Sequence, residues 1–422
     1  MTSEEIYAAA RPRPSSRLPL RLGALTEFPP EMDLRQRSNL VQLEAELHRA
    51  WGLGQNCILS WSPHPAGVAL LVVPHYAVAE YTAVADSATP GAGRVSERFI
   101  MDLICGFRQL SPGQMQKAAR LLQAEPLIVH LREPLSGSAT EVRSIEMMVK
   151  RYGISYVENR AVALFDIVGF SLLSPFEQMT QLNSLSYSLN SAYAKMLEGE
   201  LDINFARSST GDGFYIWNRE GGCEANRNLY HFMHLVLADN AIARSKARVD
   251  SVPRLRAAFH VGSCYEFHQA EGLNPTVHDY IVGEVTIELA RMIERAMPGQ
   301  IFVGDFRANG PIDGAQGEGP PLDAIRFVDH ARHDLSRLRG IVLSGERISA
   351  IKCYLTGERL ASGGYSIRKL EIADKHGLCR CVYNAKVNIY REKAEPILLG
   401  IEDRIIRQDG HAMPTAELLA RD

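Results

Sequence analysis

The stretch LFDIVGFS at 164–171 constrains this chain more than any other, because it runs an apolar strand into a carboxylate and then into a glycine turn. Asp166 ends the strand, and Gly169 gives the backbone the freedom to turn. Met179, Leu182, Leu185, Leu189, Tyr193 and Met196 then recur at helical spacing, so the strand must feed one long amphipathic helix. Downstream, STGDGFYIW at 209–217 repeats the device, with Asp212 at the tip of a hairpin. Two strand-end carboxylates on neighbouring strands can clamp a pair of divalent cations against a triphosphate, as two-metal phosphoryl chemistry requires. A Gly-Asp-Gly sequence also favours a plain polar hairpin tip, and it is Asp166 beside it that argues for more.

The order of elements around these motifs predicts the fold. Strands are expected at 162–165, 203–207, 214–217, 255–261 and 301–303, with helices between them, one carrying Leu229, Phe232, Met233, Val236 and Leu237 inward and one over 284–296. That is a β-α-β-β-α-β order with an added helix and strand, a ferredoxin-like sheet in an α/β (α+β) chain. The block spans 156–306. A proline-rich flexible arm precedes it at 1–33, then a mixed α/β accessory domain at 34–155 with a regulatory or dimer-forming role. After it come a glycine and proline linker at 307–325, a β-rich C-terminal domain at 326–407, and a frayed tail at 408–422. A chain of 422 residues exceeds what one hydrophobic core serves, which fits several domains.

Charge and cysteine usage exclude some classes of partner. The 46 basic and 49 acidic residues leave a formal charge of −3, so there is no electrostatic reason to expect nucleic acid or an anionic membrane. The apolar run at 68–73 stops at Pro74, too short for a membrane span, and the first residues lack a secretory layout; the expectation is cytoplasmic. Seven scattered cysteines fit a reducing compartment. Cys379 and Cys381 share a strand face near His376 and could approach a metal, but with no second cysteine pair at zinc spacing they read as reduced, packed thiols.

Four motifs in register carry a resemblance: LFDIVGFS at 164–171, STGDGF at 209–214, RAAFHVG at 256–262 and VGEVTIELARM at 282–292. The block of about 150 residues that holds them resembles the catalytic domain of class III nucleotidyl cyclases, the adenylyl and guanylyl cyclase family. The resemblance implies conversion of a nucleoside triphosphate to a 3′,5′-cyclic nucleotide and pyrophosphate in signalling. It implies two Mg²⁺ or Mn²⁺ ions per site, bound at Asp166, Ile167 and Asp212, and Arg291 as the residue that neutralises the transferring phosphate. Substrate contacts are expected at Ile167, Gly169, Phe170 and Ser171, whose turn amides suit phosphate oxygens, and at Ser208 and Tyr280 beside the base. Because the chain holds one copy of each motif, the resemblance also implies a homodimer with shared active sites.

Three positions depart from the family. The base-reading lysine of many adenylyl cyclases corresponds to Ser208, with Arg207 adjacent but on the other strand face, and its partner acid to Tyr280, with Asp279 one position off. Two neutral hydroxyls discriminate bases poorly by charge, so a smaller base than adenine is expected to be tolerated or preferred. The asparagine that positions the ribose corresponds to Ile287, which cannot hydrogen-bond; Glu288 is the nearest substitute. That loss leaves a second function open, a catalytically degenerate module for nucleotide sensing or dimerisation. Arg291 also has a plain reading as a surface helix arginine paired with Glu288 or Glu294. His231 and His234 are expected on a helix flank, and His260 in strand packing.

Overall fold

The computed structural model describes residues 28–29, 31–80, 99–271, 274–311, 319–358, 366–374, 377–408 and 417–419. Nearly all of the expected arm, and His376, lie outside them. Two compact units emerge: Met1–Tyr156 with Glu266–Tyr280, and Val157–Tyr265 with Ile281–Asp422.

The first unit is built on an antiparallel sheet of β1 (Asn56–His64), β2 (Gly67–Pro74) and β3 (Leu127–His130). Helix α1 (Leu34–Trp51) starts from a capping box between Asp33 and Gln36 and stops where Gly52 turns left-handed. It packs Leu40, Leu43 and Leu47 with Ile58 and Trp61 on one sheet face, joined by Ile145 and Met148 of α3 (Ala139–Arg151). Cys57, Leu59 and Val73 face the opposite way, onto Met115 and Ala118 of α2 (Pro112–Leu121). The alternation of strand side chains thus buries both faces. Buried Arg108 donates to the carbonyl of Ile154 at 2.6 Å and to Ser155 Oγ at 3.0 Å, fixing where β4 (Ile154–Ile167) begins.

The second unit carries the ferredoxin-like order. β4 leads to α4 (Pro175–Glu198), the hairpin β5 (Phe205–Ser209) and β6 (Gly213–Asn218), α5 (Cys223–Lys246) and β7 (Leu255–Glu271). These strands lie in the order β7-β4-β6-β5, the fourth, first, third and second of a βαββαβ fold. β8 (Asn274–Val282) pairs with β7, α6 (Glu284–Arg295) follows, and β9 (Ile301–Gly304) runs parallel to β7. Along β4, Ala161, Ala163, Phe165 and Ile167 pack with α4 and α5, while Val162 and Leu164 pack with Val285, Leu289 and Met292 of α6. Helices therefore cover both faces, and the strand can be apolar throughout.

Three expectations about the C-terminal third change. The linker at 307–325 contains a hairpin, β10 (Arg307–Gly310) with β11 (Gly319–Asp323), and α7 (Ala324–Asp334) begins inside it. The residues 326–407 do not form a sheet of their own. After β12 (Val342–Leu343), β13 (Glu346–Leu355) pairs with β15 (Cys379–Arg391), and β15 pairs with β9, so these strands continue the sheet of the unit. β9 would otherwise be an open edge, and Tyr383, Ala385 and Val387 share its core. Within the expected tail, β17 (Glu417–Leu419) pairs with β14 (Ile367–Ala373). His231 and His234 are also not on a flank: both are buried, since α5 is covered nearly all round by α4, α7 and the sheet. No helix among the described residues is long and apolar enough to cross a membrane.

Candidate functional site

Asp166 is the last side chain but one of β4 and is only 6% exposed. Its strand partner is Gly213, directly after Asp212. The approach is close enough that a Cβ on Gly213 would lie 1.9 Å from the Phe165 carbonyl oxygen, so only glycine lets the β5–β6 turn come this near. The Ile167 N–H donates to the Asp212 carbonyl at 3.0 Å, and Thr210 Oγ1 donates to Asp212 Oδ1 at 3.2 Å. Asp166 and Asp212 are thereby brought together.

The chemistry of the pair is that of two acids sharing one confined space. Burial pushes the Asp166 carboxyl above the usual carboxylate range; the neighbouring Arg256 opposes this, and Asp212 adds to the rise by repulsion and a shared hydrogen bond. Arg256 Nε lies 2.6 Å from Asp166 Oδ2, and its Nη1 donates to the Ala296 carbonyl at 3.1 Å. The guanidinium thus serves Asp166 alone, and Asp212 has no cationic partner among the described residues. Arg256 opens the RAAFHVG motif, and its role was not foreseen; the available signal was a lone charge at the start of an apolar strand. No group of three or more His, Cys, Asp or Glu side chains converges as a metal site among the described residues. The donors that fit divalent cations are these two carboxylates, oxygen ligands with charge to spare.

Beyond Asp166 the chain turns at Gly169, whose φ is 72°, into a single 3₁₀ turn, Phe170–Leu172. The Ile167 and Val168 amides are engaged, the latter with the Arg254 carbonyl at 2.9 Å. The expected row of phosphate-facing amides therefore narrows to Gly169, Phe170 and Ser171, which meet no acceptor among the described residues. α4 then starts from a capping box in which Ser174 and Glu177 bond each other's backbone.

Arg291, on α6, is held in an ion pair 3.2 Å from Asp374. Glu288 is paired with Arg380 at 2.6 Å rather than with Arg291. Ile287, 49% exposed, presents an apolar side chain where the family pattern has asparagine. The first turn of α6 is tied to the sheet by Tyr215, whose hydroxyl donates to the Thr286 carbonyl at 3.1 Å. Ser208 is half-buried on β5, while Arg207 reaches the other way, its guanidinium 5.3 Å from the Phe214 ring centroid. In the first unit, Tyr280 stacks on Phe267 at 5.5 Å, and Asp279 pairs with His268 at 2.7 Å. Cys379 and Cys381 are exposed free thiols.

No protein-family model matches this chain, and no curated protein matches it. Among solved structures 134 chains match. The adenylyl cyclase CyaB from P. aeruginosa is 14% identical, with a TM-score of 0.34 over 57% of this chain and 99% of that one. The guanylate cyclase domain of RhGC from Catenaria anguillulae, in complex with GTP, is 13% identical, with a TM-score of 0.31 over 57% of this chain and 100% of that domain. Adenylate cyclases from Trypanosoma brucei in their monomeric state give 11% and 0.30, over 63% and 96%. Superpositions at these scores leave the reading of the site to its residues.

Proposed function

We propose that the protein is a class III-like nucleotidyl cyclase acting in signalling. The observation that carries this reading is the Asp166–Asp212 pair: two adjacent acids, Asp166 buried, with one guanidinium, Arg256, paired to Asp166 alone. Adjacent like charges repel, and a divalent cation held by both would offset a repulsion that Arg256, meeting only one of them, leaves in place.

In the reaction the ribose 3′ oxygen attacks the α-phosphorus, the bond from that phosphorus to the bridging oxygen breaks, and pyrophosphate leaves with it; the 3′ proton goes to solvent. Mg²⁺ or Mn²⁺ held by Asp166 and Asp212, beside Ile167, would supply Lewis-acid activation of the hydroxyl and charge neutralisation of the leaving group. The amides of Gly169, Phe170 and Ser171 face the phosphate oxygens, and Arg291 neutralises the transferring phosphate. Ser208 would lie beside the base. The working unit is a cytoplasmic homodimer, each site drawing its acids from one copy and Arg291 from the other.

One observation favours the second reading, a nucleotide-sensing module without turnover: Ile287 exposes a side chain that cannot orient a ribose. Incubating the protein with ATP, GTP, CTP and UTP plus Mn²⁺, with cyclic products read by mass spectrometry, separates the two. A cyclic product absent from the Asp166→Asn variant supports the enzyme. Calorimetric binding of a triphosphate with no product from any of the four supports the module.

A further inference from the structure

One face of α6 carries Glu288, Arg291 and Arg295, three and then four residues apart, all turned to one tight turn between β14 and β15. Arg291 Nη1 lies 3.2 Å from Asp374 Oδ2. Arg380 Nε lies 2.6 Å from Glu288 Oε2, and Arg295 Nε donates to the Ala373 carbonyl at 2.7 Å. Arg380 Nη1 is also 3.2 Å from Asp374 Oδ2, so one carboxylate faces two guanidiniums.

Asp374 is built into the turn. Its side chain is 2% exposed and accepts from the Leu378 N–H at 2.9 Å. Its own N–H donates to the Leu378 carbonyl at 3.1 Å, and its carbonyl accepts from Gly377 N–H at 3.0 Å. The backbone therefore decides where this carboxylate sits. Arg291 remains 29% exposed with only Nη1 engaged, so the rest of its fork is available to an anion.

We propose that Asp374 is the positioning residue for Arg291, holding its guanidinium in the orientation in which it meets the transferring phosphate. This rests on the cyclase reading above. A free arginine side chain loses rotamer entropy on engaging a phosphate, and a fixed carboxylate behind it removes much of that cost beforehand. A lone acid beside Arg291 would also weaken its pull on an anion. Arg380 on the same carboxylate restores the balance, since three arginines face two acids across this contact.

The test measures steady-state kinetics of the full chain with Mn²⁺ and its best triphosphate for wild type, Asp374→Asn, Asp374→Glu, Arg291→Ala and the double variant Arg291→Ala with Asp374→Asn. Thermal melts confirm which of these fold. A contact that matters in the transition state lowers kcat and leaves KM nearly unchanged, so Asp374→Asn should lose about tenfold to a hundredfold in kcat. Asp374→Glu, which keeps the charge but shifts it, should lose less and serves if the asparagine variant does not fold. The double variant should be no slower than Arg291→Ala, because the two residues act as one. An unchanged kcat in Asp374→Asn, a raised kcat, or additive losses in the double variant each overturn the proposal. If the wild type yields no cyclic product, the cyclase reading has failed, and positioning is read from the ¹⁵Nη resonances of Arg291, assigned by their loss in Arg291→Lys. Slow rotation about Cζ–Nη1 in wild type that becomes fast in Asp374→Asn supports a held guanidinium; identical rotation in both overturns it.

Discussion

The two ends of the second unit that bear on phosphate chemistry differ in how their charges are settled. At the end of β4, Arg256 pairs with Asp166 while the adjacent Asp212 has no cationic partner among the described residues, so acids outnumber the base. On α6, Glu288, Arg291 and Arg295 are each matched by a partner on the β14–β15 turn, and the arginines outnumber the acids. One end is short of a cation; the other carries positive charge beyond what it neutralises. On the cyclase reading proposed above, the first would be the cation half and the second the anion half that phosphoryl transfer needs.

The largest effect should come from breaking the acid half. Asp166→Asn or Asp212→Asn removes a metal-binding charge, and turnover with Mn²⁺ should fall by about a hundredfold to a thousandfold, the range for losing a preorganised electrostatic contact. Asp212→Asn should melt no lower than wild type in EDTA, since it relieves repulsion between the acids, whereas Asp166→Asn also gives up the Arg256 ion pair and should melt lower. Residual turnover above one tenth of wild type in either variant would show that these acids do not hold the reacting centre.

The next effect separates the halves between two chains. Arg291→Ala alone should cost about a hundredfold in kcat, the scale of one transition-state donor. Mixing it with Asp166→Asn should restore one competent site per heterodimer, about a quarter of wild-type activity in an equal, freely exchanging mixture, because each heterodimer contains one intact acid half opposite one intact arginine half. Two folded, dimerising variants that fail to complement would place both halves in one chain's site.

A third effect concerns the core beneath both halves. His231 and His260 are buried, and burial pushes each imidazole down to about 4. The folded state therefore binds these protons less readily than the unfolded chain, whose histidines titrate near 6.5. Their stabilising contribution is complete above about pH 6.5 and is lost as pH falls toward 4, by up to about 3 kcal/mol each. Denaturation midpoints between pH 7 and 4.5 check this, and His231→Gln should flatten the slope. A slope unchanged by that variant would mean that its imidazole is not titrating differently in the two states.

How far the sequence foretold these halves follows from the range of the interactions involved. The βαββαβ order was legible because helix and strand periods are local, and Asp166 and Asp212 were legible because each lies in a short motif whose turn glycines fix its geometry. Arg256 escaped notice because its meaning depends on Asp166, 90 residues away. The Arg291–Asp374 pair spans the same kind of distance. The strands of 326–407 were recognised as strands but not as neighbours of β9, since alternation tells which face a residue takes and not which edge a strand joins. His231 and His234 were misplaced because a helix buried nearly all round has no polar flank to reveal.

The smallest effect sharpens the comparison without touching any residue. Raised by burial and by Asp212, the Asp166 carboxyl holds its proton more tightly in the folded state than in the unfolded chain. Protonation therefore favours the folded state, and in EDTA the stability it contributes is present below the raised value and lost as pH rises from about 4 through it. A divalent cation reverses the preference, because it binds the ionised pair. Adding Mn²⁺ should raise Tm by roughly 2–4 °C near pH 7, the shift expected from about 1 kcal/mol in a unit of this size, and by less toward pH 5. The arginine half contains no such acid pair, so Asp374→Asn should keep the full Mn²⁺ shift while Asp212→Asn loses it. A Mn²⁺ shift that survives in Asp212→Asn would place the cation elsewhere and undo the contrast between the two ends.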